Sequence, residues 1–182
     1  MRSFVTFYQK PLTREILLKE ISLGKILIQQ LECQNVELIF GIPGVHTVEL
    51  YRALSESGIR HITSRHEQGA GFMADGYARM SGKPGVCIVI TGPGVTNILT
   101  AMAQARSDSI PMLVISGVNK LTNTRNQRAP LHSLPNQAKL VKKVAIATYT
   151  IKKIEEPQSI MTKAFAQMLS GKPGPVHVQI PI

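Results

Sequence analysis

Cysteine, aromatic and acidic residues are all scarce in this 182-residue chain. Two cysteines, Cys33 and Cys87, lie too far apart for a zinc site, and each has apolar neighbours, so both read as thiols packed like small hydrophobes. Tryptophan is absent and aromatic content is only 5%, which leaves Val, Ile, Leu and Ala to build the interior. No apolar run approaches the roughly 18 to 20 residues of a membrane span, and the first twenty residues lack the apolar stretch and cleavage site of a secretion signal. A cytoplasmic protein with no membrane partner is therefore expected. Neither G-x-G-x-x-G nor G-x-x-x-x-G-K-[ST] occurs, which argues against a dinucleotide or P-loop phosphate site. There is also no internal repeat.

Acidic residues number 11 against 21 lysines and arginines, for a formal charge of +10. Such an excess would suit phosphate neutralisation on a nucleic acid. The basic residues are scattered, however, pairing only as Lys142 with Lys143, Lys152 with Lys153 and Arg125 with Arg128, and no aromatics interleave with them. Solvated faces and loops explain this distribution better than a binding footprint, so no nucleic-acid partner is expected.

What the chain does contain is a regular alternation. A polar extension spans residues 1–20; after it, Leu23, Ile26, Leu27 and Leu31 recur at three- and four-residue steps and predict a helix with Ser22 as N-cap. Strands are expected at Val36–Phe40, Ile59–Thr63, Val86–Ile90, Met112–Ser116 and Val176–Ile180. Helices are expected at Thr47–Ser57, Glu67–Ser81, Val95–Arg106 and Pro157–Ser170, with a polar loop from Gly117 to about Pro135. Near-continuous apolar strands between helices mark a parallel sheet covered on both faces. The expected fold is a three-layer α/β/α domain over residues 21–182 with about six parallel strands. The chain stops at Pro181-Ile182 directly after a strand, which is the expectation for a fragment of a longer protein.

Open parallel sheets bind ligands beyond the carboxyl ends of their strands. Three segments stand at such ends: Gly41-Ile42-Pro43-Gly44, then Arg65-His66-Glu67-Gln68-Gly69-Ala70, then Thr91-Gly92-Pro93-Gly94-Val95-Thr96-Asn97. Each alone has a plain reading, since Gly-Pro turns join strands to helices and a first-turn Glu favours the helix dipole. Together, two glycine loops that let backbone approach a ring, with a carboxyl between them, suit a flat heterocycle.

The runs FGIPGVHTVELYRAL, SRHEQGAGFMADGYARMSGKPGVCIVITGPGVTNILTAMAQARSDSIPMLVISG and GKPGPVHVQIPI resemble the N-terminal domain of acetolactate synthase and its thiamine-diphosphate relatives, including pyruvate oxidase and benzaldehyde lyase. The likeness covers about Ile21 to Ile182 and rests on the ordered set HEQGA, GYAR, GKPGV and TGPG-x-TN. It implies the pyrimidine-binding half of an enzyme that decarboxylates a 2-oxo acid and joins the product to a second carbonyl, a transferase or lyase of the kind used in branched-chain amino acid biosynthesis. By position in these motifs, Glu67 matches the glutamate that hydrogen-bonds N1′ of the aminopyrimidine. Pro43 and Gly44 match the pyrimidine-side loop, and Gly92, Pro93, Gly94 and Asn97 match the loop that closes over the ring. A carboxyl sharing a proton with N1′ moves the 4′-amino group towards its imino form, which can take the proton from C2. Gln137, in LPNQAKL, and His46 are candidate substrate-side residues, and His66 reads as a strand-end residue that fixes its loop. Val45 and His46 depart from the small residues usual there in acetolactate synthases.

The resemblance also implies what stands elsewhere. The diphosphate and its Mg2+ belong to a C-terminal domain marked by Gly-Asp-Gly, which this chain lacks, and the FAD of acetolactate synthases belongs to a middle domain. The two halves come from different subunits, so a homodimer or tetramer is expected and the isolated chain should be inactive. Glu67 argues against glyoxylate carboligase, a relative without that glutamate. The remaining alternatives are a benzaldehyde-lyase- or pyruvate-oxidase-like relative and a non-catalytic split subunit.

Overall fold

A computed structural model describes residues 22–119 and 131–181. The expected extension over residues 1–20 and the middle of the expected polar loop lie outside the described residues. Among those described, six strands form one sheet: β1 (Leu38–Gly41), β2 (Arg60–Thr63), β3 (Gly85–Val89), β4 (Met112–Val118), β5 (Ala147–Thr150) and β6 (Pro175–Pro181). Their order is β2-β1-β3-β4-β6-β5, and every pairing is parallel. The helices are α1 (Leu23–Cys33), α2 (Val48–Ser55), α3 (Glu67–Ser81), α4 (Pro93–Ser107), α5 (Gln137–Val141) and α6 (Pro157–Leu169). The three-layer α/β/α expectation is met.

Alternation along the strands divides the interior into two layers. Val86, Ile88, Leu113, Ile115, Val176 and Val178 meet α1, α2 and α6 on one face. Cys87, Val89, Met112 and Val114 meet α3 and α4 on the other. Burial on both sides is why these strands read as unbroken apolar runs.

Ser22 caps α1 as expected, accepting the Lys25 N–H at 3.2 Å. The apolar face is rotated from the expected one: Gly24, Leu27, Ile28 and Leu31 are buried, while Leu23 and Ile26 are half-buried. Gly24 explains the turn, since a Cβ there would lie 2.5 Å from the Glu49 carbonyl oxygen, so the α1 and α2 backbones pack directly together. Neither α5 nor β5 was expected, because a five-residue helix has no measurable period and Ala147–Thr150 is a half-buried edge strand. Cys33 is exposed at the end of α1, against expectation, whereas Cys87 is buried with its thiol pKa pushed up by burial. No helix among the described residues is long and apolar enough to cross a membrane.

Candidate functional site

The loops after β1, β2 and β3 leave the same edge of the sheet, because β2, β1 and β3 are parallel neighbours. Glu67 opens α3 and is only 8% exposed. His66 caps that helix, its Nδ1 accepting the Gln68 N–H at 3.1 Å, in line with a loop-fixing role. Close packing of α3 on α4 then aims the glutamate: a Cβ on Gly71 would lie 2.5 Å from the Ala101 Cβ, so the two helices meet through small residues. Asn97, near the start of α4, donates from Nδ2 to Glu67 Oε2 at 2.9 Å. Among the described residues, Oε1 accepts no hydrogen bond.

Gly94 borders that oxygen, and Gly44 meets the same neighbour, Ile90. A Cβ on Gly94 would stand 3.4 Å from Glu67 Oε1 and 2.7 Å from Ile90 Cγ1, and one on Gly44 would stand 2.5 Å from Ile90 Cγ2. Half-buried Ile90, at the end of β3, is thus wedged between both glycine loops, and sequence reasoning passed over it as an ordinary strand residue. Thr47 fixes the Gly44 turn by exchanging hydrogen bonds with its N–H and C=O at 3.2 and 3.0 Å. Pro43 is exposed beside it. Gly92 begins α4 with φ 65° and ψ −105°, followed by exposed Pro93 in the first helical turn, a position that suits proline.

His46 meets a residue the sequence had not singled out. Its ring packs edge-on against His132 with centroids 5.6 Å apart, and burial followed by the nearby His132 lowers its pKa. His46 Nδ1 and the hydroxyl of Thr91, itself 1% exposed, are buried without a partner among the described residues. A mostly apolar cavity of about 350 Å³ opens beside His46, Glu49, Gly117 and Ile180, but Glu67 and Asn97 do not line it. Only spatial pairing reveals His132, 86 positions from its partner.

Gln137 lies elsewhere than expected. It is 2% exposed, its Oε1 accepts the Gly92 N–H at 2.9 Å, and its Nε2 faces the Gly117 carbonyl at 2.9 Å. Both ends of the amide are bonded inside the protein, beneath the Gly92 turn rather than open to a substrate.

The sequence pattern described as "Thiamine pyrophosphate enzyme, N-terminal TPP binding domain" matches residues 21–142. The chain belongs to this family. Among similar proteins, a probable 2-ketoarginine decarboxylase of Pseudomonas aeruginosa is 49% identical over 164 residues, covering 90% of this chain and 29% of the relative. The acetolactate synthase isozyme 1 large subunit of Escherichia coli is 40% identical over 169 residues, with the same coverages. The chloroplastic acetolactate synthase of Arabidopsis thaliana is 38% identical over 160 residues, 86% of this chain and 23% of that protein. The chain therefore spans less than a third of the length of these relatives.

As a thiamine pyrophosphate-binding domain, the chain has residues that fit the ring end of that cofactor, also called thiamine diphosphate. Glu67 Oε1 accepts no hydrogen bond among the described residues and is bordered by Gly94, which suits a flat polar group there. Among the described residues, no three His, Cys, Asp or Glu side chains gather as metal ligands would.

Proposed function

We propose that this domain is the pyrimidine-binding part of a thiamine-diphosphate-dependent enzyme acting on 2-oxo acids, with Glu67 as its proton-handling residue. The observation that carries this reading is the half-satisfied Glu67 carboxyl, held through Oε2 by Asn97 and bordered by Gly94. Bound thiamine diphosphate supplies a carbon nucleophile and an electron sink for the loss of carbon dioxide. Glu67 holds or passes a proton at N1′ of the pyrimidine, Asn97 keeps the carboxyl aimed, and Pro43, Gly44, Gly92, Pro93 and Gly94 form the walls on either side of the ring. The diphosphate, its Mg2+ and any FAD belong to further domains of a complete enzyme, assembled as a homodimer or tetramer in the cytoplasm, and the isolated domain is inactive.

Two finer readings divide on the fate of the carbon left after decarboxylation. A carboligase joins it to a second carbonyl, as an acetolactate synthase does, whereas a decarboxylase gives it a proton. The His46–His132 pair favours the decarboxylase, because two imidazoles in edge-on contact, carried by segments that pack against Gly117 and Gly92, can relay a proton at the loop edge. The relative at 49% identity is likewise named as a decarboxylase. Acetolactate-synthase-like carboligation is the second reading. His46→Ala and His132→Ala separate them: an aldehyde-forming enzyme loses turnover, while a carboligase retains it.

The central test is Glu67→Gln in the complete enzyme, which preserves shape and one hydrogen bond but removes the exchangeable acid proton. Loss of a positioned acid or base typically lowers rate by ~10² to 10⁴, and turnover together with proton-to-deuterium exchange at cofactor C2 should fall by that order. Exchange as fast as wild type would refute the assigned role. A collapse of cofactor affinity would make Glu67 chiefly a binding residue.

A further inference from the structure

Polar side chains that the proposed chemistry leaves unused converge on Gln137. On the face that meets α4, β4 runs Met112, Val114, Ser116, and on the same side β6 contributes His177 and Gln179, which alternate with the apolar residues of the opposite face. All three polar residues are buried. In an apolar layer such groups persist only when bonded. Ser116 Oγ lies 2.8 Å from His177 Nε2, and Gln179 donates to Thr150 Oγ1 at 2.9 Å. Gln137 closes the set, its Nε2 reaching Ser116 Oγ and Gln179 Oε1 at 3.2 Å each and the Gly117 carbonyl at 2.9 Å. Its Oε1 is left for one donor, the Gly92 N–H.

We propose that Gln137 is a positioning residue: it fixes the Gly92 turn, and through α4 it sets the contacts that Gly94 and Asn97 make with Glu67. The geometry around Gly92 makes this a coupling rather than a local tie. Gly92 has left-handed φ, and a Cβ on it would collide with the carbonyl oxygen of His132, so the turn is seated directly on the segment leading to Gln137. That segment is itself tightly bent, with left-handed backbone at His132 and at Asn136, the residue before Gln137. The Gly92 turn and the strands β4 and β6 are thereby cross-linked by one amide at the edge where the loops emerge. Only an amide of this length does so: Glu lacks the donor, Met lacks both groups, and Asn is one methylene short.

The bearing on the cofactor rests on the function proposed above, but the coupling is a property of the chain itself and is tested without cofactor. The ¹⁵N-labelled 182-residue chain is compared with Gln137→Met, reading amide hydrogen exchange at Gly92 against Ile88 and Leu113, together with the side-chain NH₂ resonances of Asn97. A merely structural role lowers protection everywhere alike and leaves Asn97 in place. Positioning predicts that exchange at Gly92 rises at least about tenfold beyond the change at the core amides, since an orphaned amide is freed locally, and that the Asn97 resonances move. Gly92 tracking the core, or unmoved Asn97 resonances, overturns the proposal. Should Gln137→Met fail to fold, Ser116→Ala removes one support of the amide, and the same differential at Gly92, smaller in size, decides. Failure here leaves the role of Glu67 standing, and failure of the Glu67 test leaves this coupling standing.

Discussion

The edge of the sheet that carries the loops has two halves with opposite polar economies. In the β2-β1-β3 half, Glu67 is anchored through one oxygen by Asn97, the other is left beside Gly94, and Thr91 and His46 hold buried atoms without partners among the described residues. In the β4-β6-β5 half, Gln137, Ser116, His177 and Gln179 bond mainly to one another, and the buried atoms without partners among the described residues are His177 Nδ1 and Thr148 Oγ1, neither of them beside a glycine loop. The first half keeps unused hydrogen-bonding capacity where a ligand would use it, and the second has directed most of its capacity inward. Buried polarity alone therefore does not mark the site. Nor does an unpartnered buried atom alone, since His177 Nδ1 is one; what marks the site is a carboxyl held through one oxygen with the other bordered by Gly94.

Paired substitutions give the sharpest means of breaking that comparison. Glu67→Gln should lower turnover of a complete enzyme by ~10² to 10⁴ while leaving the thermal stability of the chain nearly unchanged, because the new amide still meets Asn97. Gln137→Met should do the reverse in stability, leaving the Gly92 N–H and the Gly117 carbonyl buried and unpaired at about 1–3 kcal/mol each. Urea unfolding of the two variants beside wild type measures both. Equal losses of stability would erase the distinction between the halves.

His177 offers a pH test of the closed half. Burial lowers its pKa from 6.5 to about 3. The folded value lies below the unfolded one, so the unfolded chain takes up this proton first. The contribution to stability is therefore intact above about pH 6.5 and declines as pH falls towards 3, by up to about 1.4 kcal/mol per unit. His46 and His61 are lowered by burial as well and add to the slope in the same direction. His177→Gln, which can still bond Ser116, should flatten the curve of urea midpoint against pH in that window without abolishing it. An unaltered slope would mean that His177 is hydrated in the folded chain.

The same contrast explains what could be read from the sequence. Glu67, Gly92, Gly94 and Asn97 sit in contiguous motifs at strand ends, and parallel strands that alternate with helices place such ends together by topology alone. The main strands were legible because burial on both faces makes them apolar throughout. Gln137 was legible as an unusual residue but not in its place, since its partners Gly92 and Gln179 lie 45 and 42 positions away. No periodicity encodes such contacts. The His46–His132 pair and the wedge of Ile90 between Gly44 and Gly94 were hidden for the same reason. Cys33 was misjudged because apolar neighbours in sequence do not say which side of a helix faces water.

The smallest expected effects come from carboxylates that belong to neither half. Glu56 pairs with Lys25 at 3.5 Å and Glu49 with Arg52 at 3.0 Å, all four side chains being largely exposed. Exposed pairs contribute about 0–1 kcal/mol and weaken as salt screens them. Glu56→Gln should thus shift the urea midpoint barely beyond error, less still at about 1 M salt, and leave turnover unchanged. Glu49→Gln should match it in stability, but Glu49 also lines the cavity beside His46, which gives this variant a second use. If it raises KM for a 2-oxo acid while the urea midpoint and kcat stay level, the open half of the edge extends past the glycine loops into that cavity. If KM stays level too, the open half ends at His46, and the boundary between reserved and satisfied polarity falls where Gly117 packs against His46 and Thr91.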